Sequence, residues 1–217
     1  MTLRLHNYWR SSASWRVRIA LNLKGIAYEY VPVSLIADGG QQHTDAYRAL
    51  NPMAQVPTLE IEEEGAVLRL TQSIAIVEYL EERFPTPSLL PKDAYSRARA
   101  RALAELVNSG IQPLQNLEPQ RYVREELHGD AKAWTTYFIG RGMRALEALA
   151  SETAGRFLVG DEVSVADVCL IPQMFAARRF GVDPATLPTL ARVEAACNAL
   201  EAFAAARPER QPDAQPG

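Results

Sequence analysis

The sequence predicts an α/β domain followed by an all-α domain, and three observations carry that prediction. Across residues 3–83, short apolar runs of period two alternate with runs of helical period. A proline-rich stretch, Pro85-Thr86-Pro87-Ser88-Leu89-Leu90-Pro91, then interrupts the pattern, because proline cannot continue a helix. Beyond it the apolar spacing is helical as far as residue 206, and no convincing strand returns. The expected division is an α/β domain over 1–84, a linker over 85–91 and a helical domain over 92–217.

Leu3-Arg4-Leu5-His6-Asn7-Tyr8 begins as a strand. Ser12 or Ser14 can cap a helix through Trp15, Val17, Ile19, Ala20, Leu21 and Leu23, with Gly25 at the position just past its end. Residues 28–33 are a second strand, on an edge because Pro32 has no N–H to donate. After a short helix near 45–50, Thr58-Leu59-Glu60-Ile61 and Ala66-Val67-Leu68-Arg69-Leu70 form a hairpin turning at Glu62-Glu63-Glu64-Gly65. Ser73 opens an amphipathic helix through Ile74, Ile76, Val77, Leu80 and Phe84. The order β-α-β-α-β-β-α builds a small mixed sheet with helices on its faces. In the second domain helices are expected near 94–110, 131–150, 164–176 and 189–206, the third opened by a capping box at Ser164-Val165-Ala166-Asp167. The polar tail from Pro208 is expected to fray.

Composition excludes several functions. The 217 residues carry a formal charge of −3, so no basic field draws the chain to nucleic acid. The start of the chain has no apolar core of a signal peptide and no run is long enough to span a membrane, so a cytoplasmic protein is expected. Cys169 and Cys197 sit in Ala/Leu-rich stretches with no metal-site spacing, which reads as two buried thiols in a reducing compartment. His6, His43 and His128 are widely spaced, and no P-loop, dinucleotide fingerprint or nucleophile elbow occurs. No metal site is expected. An enzyme built from these residues needs a thiol or cofactor from outside.

Five constellations are placed to bind such a group, and each also has a plain structural reading. Arg10-Ser11-Ser12-Ala13-Ser14-Trp15-Arg16 joins the first strand to the first helix, where backbone N–H groups, the helix dipole and hydroxyls favour an anion such as a thiolate; simple N-capping uses one of the serines. Val56-Pro57-Thr58 enters the third strand, where a cis proline would offer main chain to an extended peptide; a trans proline at the start of an edge strand is the commoner case. Gln72-Ser73 starts the third helix, with donors for a carboxylate or an ordinary cap. Gln112 and Asn116 share a face if the helix passes Pro113, two amides that can hydrogen-bond a polar ligand or simply be solvated. Arg178-Arg179 ends an apolar helix, suiting either its dipole or a substrate carboxylate.

Taken together, these motifs resemble the zeta class of glutathione transferases, maleylacetoacetate isomerases in particular. The resemblance rests on Ser-Ser-x-Ser-Trp-Arg-Val-Arg-Ile-Ala-Leu at 11–21, Asp38-Gly39-Gly40-Gln41-Gln42, Asn51-Pro52, Gln55-Val56-Pro57-Thr58-Leu59 and Gln72-Ser73. It continues through Gly110-Ile111-Gln112-Pro113-Leu114-Gln115-Asn116-Leu117, Val159-Gly160-Asp161-Glu162-Val163 and Arg210-Gln211-Pro212-Asp213, so it spans nearly the whole chain.

The resemblance implies a thioredoxin-like domain that binds glutathione, a helical-bundle domain that shapes the pocket for a second substrate, and a homodimer. It implies catalytic hydroxyls from Ser11 and Ser12, with Trp15, Gln42, Val56, a cis Pro57, Gln72, Ser73, Gln112 and Asn116 around glutathione. Arg10 and Arg179 are the expected partners of the carboxylates of a dicarboxylic cis-enone. The expected reaction is cis–trans isomerisation: glutathione thiolate adds to the conjugated double bond, the resulting single bond rotates, and elimination returns the thiol. Related thiolate chemistry on maleylpyruvate or small α-halo acids, and glutathione binding without turnover, are the competing expectations. The chain departs from the family pattern at Ala13, where a cysteine is usual. That leaves thiolate stabilisation to hydroxyls and backbone donors.

Overall fold

A computed structural model of the chain describes residues 1–215. Its first strand, β1 (Thr2–Asn7), buries Leu3, Leu5 and Asn7 on one side while Arg4 and His6 stay half-exposed. α1 (Ser12–Leu23) follows, and Ser11 is its N-cap: its Oγ accepts from the Ser14 N–H at 3.2 Å. The sequence pointed to Ser12 or Ser14 for this duty; the first turn begins one residue earlier. At the other end Gly25, at φ +65°, lets Ile26 N–H reach the Leu21 carbonyl and Gly25 N–H reach that of Asn22, closing the helix as expected. Every residue from Ser14 to Leu21 is buried.

β2 (Glu29–Pro32) lies parallel to β1 on the sheet edge, where Pro32 costs no ladder bond. Two short 3-10 turns, Ala37–Gly39 and Gln41–His43, precede α2 (Asp45–Arg48). β3 (Thr58–Glu63) and β4 (Ala66–Thr71) then form the hairpin. Its turn is tighter than expected: Glu64 and Gly65 alone make it, at φ +52° and +80°, which matches the twist of the strands. The sheet order is β2-β1-β3-β4, with β3 antiparallel to both neighbours. α3 (Ser73–Arg83) packs on α1 through Ile76, Val77 and Leu80, at 2% exposure or less. Such side chains each contribute on the order of 1.5–3 kcal/mol when buried.

The helical part contains α4 (Ala94–Gly110), α5 (Leu117–Glu125), α6 (Ala131–Ser151), α7 (Val165–Arg179) and α8 (Pro188–Asn198). α7 is buried on nearly every side and packs on α4, α6 and α8. Its capping box is formed, with Asp167 accepting from Ser164 N–H (2.8 Å), Ser164 Oγ–H (2.9 Å) and Leu158 N–H (2.9 Å). Cys169 and Cys197 are both fully buried and form no disulfide. α5 was not anticipated, and the single helix expected over 189–206 breaks after Asn198, restarting as α9 (Glu201–Ala205).

Contacts divide the chain differently from the sequence pattern. One unit is residues 1–87 together with the segment from Glu201 on; the other is residues 88–200. The C-terminal segment therefore belongs with the sheet, and it is not frayed through its described part. α9 packs on α1, Asn22 Nδ2 donates to the Ala202 carbonyl, and Gln211 Nε2 donates to the carbonyls of Ala205 and Arg207.

Candidate functional site

Strand pairing gathers three loops that are far apart in sequence. His6 stands opposite Thr58, and Thr58 opposite Thr71. The chain leaving β1 toward Ser11, the chain entering β3 through Val56 and Pro57, and the chain leaving β4 at Gln72 and Ser73 thus meet at one end of the sheet. Ligands of open α/β sheets bind in such a place.

The serine loop makes the first wall. Ser11, Ser12 and Ala13 are half-buried, while Ser14 and Trp15 are buried. Ser11 Oγ uses a lone pair on the Ser14 N–H, so its proton stays available to donate outward. No acidic residue stands in the first turn of α1. An anion here meets hydroxyls, unpaired N–H groups and the positive end of a helix dipole, with no carboxylate in that turn to repel it. Ser14 Oγ, Tyr8 Oη and Trp9 Nε1 are buried without a hydrogen-bond partner. Unmet polar groups of this kind are rare in a folded interior. Arg10 is half-buried, its guanidinium 5.2 Å from the Trp9 ring centre.

The Val56–Pro57 peptide is cis, as the resemblance implied, and both residues are buried. Tyr47 Oη and Asn51 Nδ2 each donate to the Gln55 carbonyl at 2.7 Å, and Asn51 Oδ1 accepts from Met53 N–H at 3.1 Å. Burial pushes the Tyr47 phenol up to about 12, so it remains a donor. Among the described residues, the Val56 main chain makes no hydrogen bond. That leaves an open strand edge for an extended peptide.

Gln72, not Ser73, is the N-cap of α3, and it sits at φ +68° with its side chain exposed. A non-glycine residue in this region costs about 1–3 kcal/mol, so β4 and α3 must hold it. Ser73 is the first helical residue, 4% exposed, and its Oγ accepts from Arg16 Nη1 at 3.2 Å. Arg16 was not expected to reach this site. The sequence places it at the end of the serine loop, and it lies inside the apolar run Trp15-Arg16-Val17-Arg18-Ile19 at 1% exposure. Gln42 is buried on the turn Gln41–His43, with Nε2 3.0 Å from His43 Nε2 and Oε1 unpaired. Gly40, at φ +99°, leaves room for it: a Cβ there would lie 2.5 Å from Gln42 Nε2.

In the helical unit Gln112 Nε2 donates to Asn116 Oδ1 at 2.6 Å. They meet through a 3-10 turn, Gln112–Gln115, because α4 ends at Gly110 and does not pass Pro113. Trp134 Nε1 on the Leu114 carbonyl, and Gln120 and Gln173 on Gln115, fix that turn. Arg178 is bound to both carboxylate oxygens of Glu194, which makes it a tie between α7 and α8. Arg179, the last residue of α7, is exposed beside the Phe180 ring. Among the described residues no cluster of three metal-ligating side chains is found, and no helix is long and apolar enough to cross a membrane.

Residues 5–88 match the family described as glutathione S-transferase, N-terminal domain. A maleylacetoacetate isomerase of Rattus norvegicus is 52% identical over 96% of this chain and 94% of its own. The crystal structure of a maleylacetoacetate isomerase from Anaeromyxobacter dehalogenans, with glutathione bound in its active site, has a TM-score of 0.91 and 55% identity, covering 99% of this chain and 98% of that one. A zeta-class maleylpyruvate isomerase structure gives 0.90 at 44% identity, covering 98% and 100%.

Proposed function

The chain belongs to the maleylacetoacetate isomerase family, the zeta class of glutathione transferases, and we propose that it converts maleylacetoacetate to fumarylacetoacetate with glutathione, in the breakdown of tyrosine and phenylalanine. The observation that carries this reading is the meeting of a serine-rich helix N-terminus with the open main chain of Val56 at one end of the sheet. Bound there, glutathione supplies a thiolate that adds to a conjugated double bond and leaves again after the bond has rotated.

This chain's residues do the rest. Ser11 and Ser12 donate hydroxyl protons, and the first turn of α1 its N–H groups, to hold the sulfur as thiolate at neutral pH. Trp15 fixes the start of that helix. Val56, beside Pro57, pairs with the main chain of the tripeptide. Gln72 and the N-terminus of α3 hold the γ-glutamyl end. Arg16 donates to Ser73 Oγ, so the Ser73 proton turns outward toward the ligand carboxylate. Gln42, Gln112 and Asn116 add polar contacts, and Arg10 and Arg179 take the substrate carboxylates. The working form on this reading is a cytoplasmic homodimer; two buried cysteines outside any disulfide support a reducing compartment.

Incubation with glutathione and maleylacetone, following loss of the cis-enone absorbance, tests the reaction. Binding without conversion would refute it. The similarity to a maleylpyruvate isomerase favours a second substrate of the same kind, and the ratio of kcat/KM values for the two enones decides between them.

A further inference from the structure

The serine loop is held from behind by the C-terminal segment, and one carboxylate there joins it to the sheet. Asp213 Oδ2 accepts from the Trp9 N–H at 3.1 Å, and Asp213 Oδ1 accepts from the Tyr30 hydroxyl in a short hydrogen bond. Trp9 is fixed at its other end too, since its carbonyl accepts from Arg18 Nη2 at 2.8 Å. The fully buried Arg18 also binds Asn7 Oδ1 (3.0 Å), the Tyr8 carbonyl (3.4 Å) and, through Nε and Nη2, the Ala206 carbonyl (3.2 Å each). Ala214, next to Asp213, packs on the cluster of Tyr8, Trp9, Val33, Tyr47 and Val56. The tail thus holds the loop that leads to Ser11 and packs on the cluster to which Val56 belongs.

Ser11 lies two residues beyond Trp9, and its own N–H is tied to the Tyr8 carbonyl at 3.0 Å. The Trp9 main chain therefore sets where Ser11 begins α1 and where its hydroxyl points. We propose that Asp213 is a positioning residue for the reaction: by holding the Trp9 N–H against Tyr30, it fixes Ser11 and the first turn of α1 on the glutathione sulfur. The inference rests on the reading of that turn as the thiolate site. It makes the last described residues part of the active-site frame, and it gives Asp213, the last residue of the Arg-Gln-Pro-Asp sequence, a task.

The test compares full-length Asp213→Ala, Asp213→Asn, Tyr30→Phe and Arg210→Ala. Arg210 binds the exposed Glu201 and serves as a control in the same segment. Asparagine can still accept from Trp9 with Oδ1 and donate to the Tyr30 oxygen with Nδ2, so it is the rescue variant. Four quantities are read: kcat, KM for glutathione, melting temperature, and the pKa of bound glutathione from its thiolate absorbance. Asp213→Ala is expected to lower kcat about tenfold and to raise the bound thiol pKa by about one, with KM changed less than about threefold. Asp213→Asn and Arg210→Ala stay within about twofold of the parent on both readouts, and Tyr30→Phe moves them about threefold in the direction of Asp213→Ala. Tyr30→Phe keeps the Trp9 bond, so it carries the test if Asp213→Ala does not fold. Unchanged kcat and thiol pKa in Asp213→Ala, or in Tyr30→Phe where that variant stands in, would overturn the proposal. An Asp213→Asn variant as impaired as the alanine would overturn it as well, since charge and not position would then be at work. The thiol pKa needs no turnover, so failure of the isomerase reading and failure of this inference are told apart.

Discussion

Ser11 carries two duties at once, and two substitutions separate them. As N-cap of α1 it accepts from the Ser14 N–H at 3.2 Å; as a hydroxyl at the proposed thiolate site it donates. Ser11→Ala removes both. Losing the cap costs about 1 kcal/mol, a fall in Tm of about 2–4 °C for a protein of this size. Ser11→Gly also removes the hydroxyl, but glycine at an N-cap costs only a few tenths of a kcal/mol, so its Tm should fall by about 1 °C or less. A hydrogen bond to a charged group is worth about 1.5–3 kcal/mol, which is about a tenfold to hundredfold loss of kcat and a rise of about one to two in the pKa of the bound thiol. KM for glutathione should change little, because Val56, Gln72 and Ser73 hold the rest of the ligand on the proposed reading. Steady-state kinetics, thiolate absorbance and thermal melts on the same preparations give all four numbers. If Ser11→Gly keeps its turnover while Ser11→Ala loses it, the hydroxyl serves only as a cap and the catalytic role is refuted. Equal turnover in all three proteins refutes it too.

Three further outcomes follow from the geometry. Gly40→Ala forces a residue at φ +99° to carry a Cβ 2.5 Å from Gln42 Nε2; the backbone strain should cost about 1–2 kcal/mol, and displacement of Gln42 should weaken glutathione binding by calorimetry while kcat at saturation holds. Ser73→Ala removes the hydrogen bond from Arg16 and should raise KM for glutathione about tenfold, with a loss of about 1–3 kcal/mol in urea unfolding. Burial pushes the Asp167 carboxyl up to about 6, against three donated hydrogen bonds. The folded chain therefore holds that proton more tightly than the unfolded chain does, and this group's contribution makes stability fall as pH rises from about 4 to about 6, then level off. Asp167→Asn should flatten that slope, and because its amide N–H₂ would face the Ser164 donors it should also cost about 3–5 kcal/mol in urea titrations.

The order of elements was readable because each carries its own period: Leu3 and Leu5 alternate, while Ile76, Val77 and Leu80 recur at helical spacing. α5 escaped because it buries little. Within it only Val123 is buried, and Leu117 and Tyr122 remain exposed, so no stripe marks the helix. The break between α8 and α9 falls at Ala199 and Leu200, neither of which ends a helix by its own chemistry. Three serines within four positions left the α1 cap uncertain by a residue or more, and only the chain path decides for Ser11. The candidate site residues stand in the sequence as separate motifs. Their convergence does not show there, because it depends on the register of His6, Thr58 and Thr71. Nothing local in the sequence announces that Arg16 reaches Ser73 or that Asp213 reaches Trp9, since both partnerships span loops closed only by the sheet.

Those two partnerships also bear on Ala13. On the proposed reading, without a thiol in the first turn of α1 the site must lower the pKa of the glutathione sulfur by other means. It has two helix N-termini, α1 and α3, for two of the ligand's anionic groups, the thiolate and the γ-glutamyl carboxylate. Arg16 extends from α1 to α3 and is 1% exposed, so its charge acts through a medium far less screening than water. A buried cation between two helix N-termini raises the potential at both. Holding that potential on the sulfur then requires that the first turn not shift, and the Trp9 main chain, gripped by Arg18 at its carbonyl and by Asp213 at its N–H, supplies the constraint. On the proposed reading the missing cysteine places more of the chemistry on backbone position, and Asp213, 202 residues beyond Ser11, belongs to the same machinery.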